Sequence, residues 1–201
     1  MTERPPVSLY NLPNALTVLR LILVPVFLLA LFAQGGHDTT WRWIAFVIFA
    51  IAAITDRYDG HIARKRGQVT DFGKIADPIA DKALTGSALV GLSMLGDLAW
   101  WITIVILVRE IGVTLLRFAV IRYGVISASP GGKAKTFVQI IAIGLYLMPL
   151  APTFDWLQAA AMGLAVILTV ATGIDYVARA AAVYSRAKAG RVDGPPPTGS
   201  G

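Results

Sequence analysis

Four aspartates stand in a polar stretch of an otherwise apolar chain, at spacings that suit an α-helix. Asp59 follows Asp56 at i+3, and Asp81 follows Asp77 at i+4. At 3.6 residues per turn, the members of each pair project from one helical face. The turn over residues 65–72 allows the second helix to return antiparallel to the first. We therefore expect the four carboxylates to converge where two helices end.

Clustered carboxylates repel one another and require protons or cations between them. Carboxylate oxygens are hard ligands that suit Mg²⁺, Mn²⁺ or Ca²⁺, and a pair of such ions suits phosphoryl chemistry. Gly60 and Ala63 share the face of the first acidic pair, where small side chains admit a bulky phosphate or nucleotide, and Arg64 adjoins it. The alternative is that these acids are solvated helix caps. Asp56 and Asp81 argue against it, because each lies inside an apolar helix, where a lone charge costs about 2.5–3.5 kcal/mol.

The elements that must position these acids are membrane helices. The chain has 201 residues, 56% of them hydrophobic, and a mean hydropathy of +0.65. A spanning helix needs about 20 mostly apolar residues. The sequence predicts an all-α integral membrane protein with six transmembrane helices, over residues 15–33, 41–62, 75–95, 98–121, 136–150 and 156–182.

Charges in the loops predict the orientation. Lys and Arg precede the first span, follow the sixth, and lie between spans two and three and between four and five, whereas the loops 34–40, 96–97 and 151–155 have neither. The positive-inside rule then places both termini in the cytoplasm, with the acidic helix ends at the cytoplasmic face of the cell membrane. Five tryptophans fall near the opposite face, as interfacial anchors: Trp41, Trp43, Trp100, Trp101 and Trp156.

Three segments follow from these patterns. Residues 1–14 are predicted to form a short N-terminal interfacial segment, and residues 15–186 one six-helix domain. Residues 187–201 are predicted to form a disordered tail rich in Gly and Pro. The net charge of +6 fits cytoplasmic loops and anionic lipid headgroups better than nucleic acid. The absence of cysteine excludes disulfides, zinc–thiolate sites and thiol nucleophiles.

The acidic stretch resembles the signature of the CDP-alcohol phosphatidyltransferases. That signature is D-x-x-D-G-x-x-A-R, eight residues, then G-x-x-x-D-x-x-x-D. It is matched without a gap by Asp56, Asp59, Gly60, Ala63, Arg64, Gly73, Asp77 and Asp81. Further similarity lies in Asn14, Thr17 and Arg20 around the entry to the first span and in the run Gly132–Thr136. These segments resemble the bacterial branch of the family whose acceptor is sn-glycerol 3-phosphate.

The resemblance implies a reaction and roles for the matched residues. The phosphatidyl group of CDP-diacylglycerol would pass to a small phosphorylated alcohol, with release of CMP. Asp56, Asp59, Asp77 and Asp81 would bind Mg²⁺ or Mn²⁺, as two ions, and Asp81 would also act as the catalytic base. The CDP site would comprise Asp56, Asp59, Gly60, Ala63, Arg64 and Gly73, with Asn14 and Thr17 contributing from the first helix. A homodimer in contact with membrane lipids would be expected.

A phosphorylated acceptor needs a cationic pocket of its own. Arg109 and Arg117 lie in the fourth span, and Lys133 and Lys135 open the fifth. Arginine suits bidentate contacts with phosphate. The alternative is that the lysines are ordinary cytoplasmic-side residues, and that Arg109 pairs with Glu110 or with an acid on another helix.

Two other functions fit parts of the pattern. The acceptor in the same reaction can be phosphatidylglycerol, inositol phosphate or serine. An ion or proton transporter also uses intramembrane acids, but transport predicts carboxylates along the whole path. Here they gather at one end, which disfavours transport.

Overall fold

The structure of the protein is a computed structural model. It describes the backbone over residues 12–66, 71–120 and 130–192, and the side chains over 15–55, 82–120 and 131–185. Within these ranges the chain is helical and contains no strand, which confirms the predicted all-α class for this part of the chain.

The described residues form six α-helices. They are α1 (Leu12–Phe32), α2 (Thr39–Arg66), α3 (Asp71–Met94), α4 (Trp100–Val120), α5 (Pro130–Leu147) and α6 (Asp155–Val192). Each overlaps one predicted span. Helix α1 begins at Leu12, inside the predicted interfacial segment, and α6 continues to Val192, past the predicted start of the tail at residue 187.

The core is assembled from large apolar side chains of all six helices. Helix α1 packs on α2 and α3, while α6 packs on α4 and α5. Fully buried side chains include Phe27, Phe49, Leu89, Ile106, Ile143 and Met162. Many apolar side chains also face outward, among them Leu29, Phe118, Trp156 and Ile174, each at least 66% exposed. An apolar exterior around a packed interior suits a protein surrounded by lipid.

Length and composition identify two described stretches that can cross a membrane, Ala15–Gly36 and Pro152–Ser185, and a shorter apolar helix at Thr39–Thr55. The predicted topology of six spans with cytoplasmic termini therefore stays a prediction. Helices α3, α4 and α5 carry charges such as Lys82, Glu110 and Lys135, which reduce their mean hydropathy.

A charged contact centred on Arg42 lies at the N-terminal end of α2. The Arg42 guanidinium donates a hydrogen bond to the Asp97 carboxylate in the α3–α4 turn. It also donates to the Gly36 carbonyl at 2.5 Å and to the Tyr146 carbonyl, near the end of α5, at 3.4 Å. His37 Nε2 lies 3.4 Å from Asp97 Oδ1. One buried arginine thus ties α2, the α3–α4 turn and α5 together.

Candidate active site

The acidic signature lies on two helices that contact each other. Helix α2 carries Asp56, Asp59, Gly60, Ala63 and Arg64 in its last turns, and α3 carries Gly73, Asp77 and Asp81 in its first half. Their side chains lie outside the described residues, so their convergence and their roles stay predictions. The backbone agrees with the premise of those predictions, because both segments are helical and their helices are neighbours.

Helix α1 packs against both acidic helices. Thr17 and Arg20 are each only 1% exposed, so both side chains turn from the lipid into the protein. A buried arginine in an apolar helix requires polar surroundings. The contribution of Thr17 to the nucleotide site stays a prediction. Asn14 also lies in α1, and its side chain is outside the described residues.

Glu110 forms the centre of a charge cluster built from α3, α4 and α5. Its Oε1 accepts hydrogen bonds from Arg109 Nη1, at 3.0 Å, and from the Lys135 ammonium. Its Oε2 lies 3.8 Å from Lys82 Nζ. Arg109 reaches onward to α6, where Nη2 donates to Thr172 Oγ1 at 2.9 Å. Two of the predicted acceptor residues, Arg109 and Lys135, therefore share one carboxylate.

Lys82 directly follows Asp81 and connects the cluster to the acidic signature. Its Nζ donates to Thr114 Oγ1 at 2.6 Å and to the Glu110 carbonyl at 3.4 Å. Thr114 Oγ1 itself donates to that carbonyl at 2.8 Å. Because Lys82 is fixed to α4 in this way, the cluster lies one residue along α3 from the proposed base.

The other two predicted acceptor residues have different surroundings. Arg117 is exposed, and its guanidinium lies over the Tyr176 ring, 5.9 Å from the centroid, with Nε 3.5 Å from the hydroxyl. Lys133 is exposed near the start of α5. The structure thus brings together Arg109 and Lys135 around Glu110, and leaves Arg117 and Lys133 outside that contact network.

Sequence reasoning assigned no role to Lys82, Thr114 or Thr172, and considered Glu110 only as a partner for Arg109. A signal for Glu110 existed, since an acid within an apolar helix needs cationic partners. Lys82 carried a weaker signal through its position next to Asp81. The threonines gave none, because a hydroxyl is common in membrane helices and its bonding depends on the neighbouring helix.

An apolar groove of about 530 Å³ lies between α4 and α6, beside Arg109. Its lining includes Val108, Gly112, Val113, Val170, Gly173 and Ile174. A Cβ built on Gly173 would lie 3.2 Å from Arg109 Cγ. Glycine at this position lets the arginine side chain cross α6 closely enough to reach Thr172.

The donor chemistry fits divalent metal ions. No group of three or more acidic, His or Cys residues lies within metal-binding reach among the described residues, and the four aspartates fall outside that set. If the four carboxylates converge as predicted, they would form an all-oxygen donor set, which Mg²⁺ and Mn²⁺ prefer.

Comparison with known proteins identifies the family. The sequence model of the CDP-alcohol phosphatidyltransferase family matches residues 10–171. A probable phosphatidylglycerophosphate synthase of Mycobacterium tuberculosis is 62% identical over 170 residues, which cover 85% of this chain and 81% of that protein. The CDP-diacylglycerol–glycerol-3-phosphate 3-phosphatidyltransferase of Bacillus subtilis is 36% identical over 185 residues, covering 85% of this chain and 95% of that protein. The protein of the same name in Shigella flexneri is 33% identical over 180 residues, covering 86% and 96%.

Proteins of this family are membrane-associated and in general use divalent metal ions. The family signature, the match over most of the chain and the identity to these relatives agree with one another. The chain belongs to the CDP-alcohol phosphatidyltransferase family.

Proposed function

We propose that this chain transfers the phosphatidyl group of CDP-diacylglycerol to sn-glycerol 3-phosphate, giving phosphatidylglycerophosphate and CMP. The observation that carries the proposal is the 62% identity, over 85% of the chain, to a probable phosphatidylglycerophosphate synthase. The cationic cluster around Glu110 supports a phosphorylated acceptor, since a neutral alcohol has less need of it.

In the proposed reaction, the acceptor hydroxyl attacks the β-phosphorus of CDP-diacylglycerol. A new P–O bond forms, the bond between that phosphorus and the CMP oxygen breaks, and CMP leaves. Asp81 accepts the hydroxyl proton as general base. Asp81 lies deeper along α3 than Asp77, which suits a base beside the acceptor rather than beside the nucleotide.

The four aspartates Asp56, Asp59, Asp77 and Asp81 hold two Mg²⁺ or Mn²⁺ ions in this proposal. Bound there, such ions neutralise phosphate charge and fix the diphosphate for displacement. Gly60, Ala63 and Gly73 leave room for the nucleotide, and Arg64 pairs with its phosphate. Asn14 and Thr17 complete the CDP site from α1.

The acceptor phosphate binds to Lys135 and Arg109 of the cluster, with Arg117 and Lys133 at the exposed edge. Lys135 is buried beside Glu110, whereas Arg117 and Lys133 are exposed. A phosphate held by both groups of cations would place the acceptor hydroxyl toward α3.

The proposal includes a membrane arrangement. All six helices span the cell membrane, both termini are cytoplasmic, and the acidic ends of α2 and α3 open to the cytosol and to lipid. A donor with two acyl chains and a charged nucleotide requires that double access. The active form is a homodimer, as the family resemblance implies, and light scattering in detergent measures its mass.

The test is CMP release by purified protein supplied with CDP-diacylglycerol, Mg²⁺ or Mn²⁺ and one acceptor. Glycerol 3-phosphate, phosphatidylglycerol, inositol phosphate and serine are offered separately. We expect turnover with glycerol 3-phosphate, and its loss on chelation of the metal. If only one of the other acceptors supports turnover, the assigned acceptor is wrong. If none of the four acceptors supports turnover, the proposal that the protein is this enzyme is wrong.

Asp81→Asn tests the base. Replacing the carboxylate by an amide removes the proton acceptor and a metal ligand, so turnover should fall by at least about 10²-fold. Asp175→Asn is the control, because Asp175 pairs with Arg179 of its own helix at 3.0 Å, on an exposed face. Activity of Asp81→Asn near that of the control would refute the role of Asp81.

A further inference from the structure

Glu110 contacts more charged partners than any acid needs for its own neutralisation. Arg109, Lys135 and Lys82 all lie within 4 Å of its carboxylate oxygens. Among the described residues, three cationic side chains therefore meet at one carboxylate. Ammonium and guanidinium groups gathered in this way are the groups that bind phosphate in proteins.

A phosphomonoester is an anion that these cations can bind. Such a group carries roughly −1.5 to −2 at neutral pH and offers three acceptor oxygens. The Lys135 side chain is 3% exposed and that of Glu110 is 21% exposed, so a phosphate reaching Lys135 would be largely desolvated. Glu110 itself repels phosphate, and its contribution to the site must come through the cations that it holds.

The two carboxylate oxygens of Glu110 have separate tasks. Oε1 takes the Lys135 ammonium and the Arg109 guanidinium, and Oε2 faces Lys82. Lysine has a flexible four-carbon stem that loses freedom when its ammonium is fixed. When a carboxylate already fixes that ammonium, the lysine loses no further conformational entropy on ligand binding, and the ligand binds more tightly.

We propose that Glu110 is a positioning residue for the acceptor step: it holds Lys135 and Lys82, on α5 and α3, at the separation that the phosphate of the acceptor alcohol requires. This inference rests on the proposed function, in which Lys135 binds that phosphate. It adds a role for Glu110 and Lys82. It also predicts that loss of Glu110 changes the KM for the acceptor alcohol and not the KM for CDP-diacylglycerol.

The experiment is a double-mutant cycle between Glu110→Gln and Lys135→Met, with the KM for each substrate measured separately. Glutamine keeps the shape of the side chain but holds the ammonium less firmly. Glu110→Gln should raise the KM for glycerol 3-phosphate about tenfold, while the KM for CDP-diacylglycerol changes by less than about twofold. Because Glu110 acts in part through Lys135, the rise in KM for glycerol 3-phosphate in the double variant should be smaller than the product of the two single effects.

The outcomes separate this inference from the proposed function. If Lys135→Met leaves the KM for glycerol 3-phosphate unchanged, the proposed phosphate site is wrong, and the inference is overturned with it. If Lys135→Met raises that KM but Glu110→Gln does not, only the inference is overturned. Equal increases in both KM values, or additive effects in the double variant, indicate general disruption and also overturn it.

Glu110→Asp keeps the negative charge and changes only the position of the carboxylate. It also serves as a second test if the Glu110→Gln variant folds poorly. Aspartate keeps the charge but is one methylene shorter, so it cannot keep all three contacts. We expect it too to raise the KM for glycerol 3-phosphate selectively; a wild-type KM would show that charge alone matters, which overturns positioning. Asp175→Asn, which removes a carboxylate from the exposed face of α6, should leave both KM values unchanged.

Discussion

Arg117 differs from the other predicted acceptor residues because an aromatic side chain supports it. Tyr176 is 8% exposed and lies beneath the guanidinium, whereas Arg117 itself is exposed. The contact between Arg117 Nε and the hydroxyl is long, at 3.5 Å. The ring face therefore orients the arginine more than the hydroxyl does, and leaves its terminal nitrogens available to an anion.

Arg117→Ala should raise the KM for glycerol 3-phosphate about tenfold, since it removes one charge-assisted contact to phosphate. Tyr176→Phe keeps the ring and should change that KM by less than about twofold. Steady-state CMP release at varied glycerol 3-phosphate measures both. A larger effect from Tyr176→Phe than from Arg117→Ala would contradict this assignment of roles.

Individual site residues were predictable from sequence where a spacing rule or a family signature existed. The aspartates at i+3 and i+4 are of this kind, and their roles stay predictions. The partner of Arg109 was not fixed by such a rule, because Glu110 and acids on other helices were equal candidates. The structure shows that Glu110 is the partner and that Thr172, 63 residues further along the chain, is a second one.

At the scale of elements, one glycine sets how closely α1 and α3 approach. Gly91 of α3 is buried, and a Cβ built on it would lie 2.6 Å from Leu31 Cδ2 of α1. Leu31 is only 1% exposed, so it has no free space into which to move. A larger residue at position 91 must therefore displace the Leu31 side chain or move α1, the helix that carries Thr17 and Arg20.

Gly91→Val should destabilise the protein by about 1–3 kcal/mol, the usual cost of overpacking a filled interior. Gly163→Val is the matched control on α6, because a Cβ at Gly163 meets nothing within 4 Å. Thermal unfolding in detergent compares the two variants. Equal midpoints for both would show that α1 and α3 are not closely packed at Gly91.

The existence of six helices was predictable because long apolar runs favour helix in a membrane. The residues at which these helices end were less predictable. Helix α2 runs through the charged segment up to Arg66, and α6 continues to Val192. Hydropathy marks where a chain leaves the apolar layer, but a helix continues beyond that point while its backbone hydrogen bonds remain satisfied.

At the scale of the molecule, the absence of cysteine makes the proposed orientation directly testable. Ala151 and Ser185 are both exposed and lie near opposite ends of α6. In the proposed topology, a cysteine introduced at position 151 faces the outside of the cell, and a cysteine introduced at position 185 faces the cytoplasm. A membrane-impermeant maleimide should label Ala151→Cys in intact cells, and Ser185→Cys only after permeabilisation. The reverse pattern would invert the topology.

The two ends of the molecule are held by different charge networks. On α2, Arg42 precedes Asp56 and Asp59 by roughly 20–25 Å along the helix axis. The Arg42 side chain is 8% exposed and depends on Asp97, which is 23% exposed, for its counter-charge. In the proposed function, catalysis belongs to the acidic signature, which lies at the opposite end of α2 from Arg42 and its contact with Asp97.

Asp97→Asn separates these two contributions. It leaves a buried guanidinium without a counter-charge, which should cost about 3 kcal/mol and lower the thermal midpoint in detergent. Both KM values should stay unchanged below that midpoint, because the proposed site lies at the far end of α2. Asp175→Asn breaks an exposed i,i+4 pair and should cost less than about 0.5 kcal/mol. A selective rise in the KM for glycerol 3-phosphate with Asp97→Asn would show that the two ends are coupled.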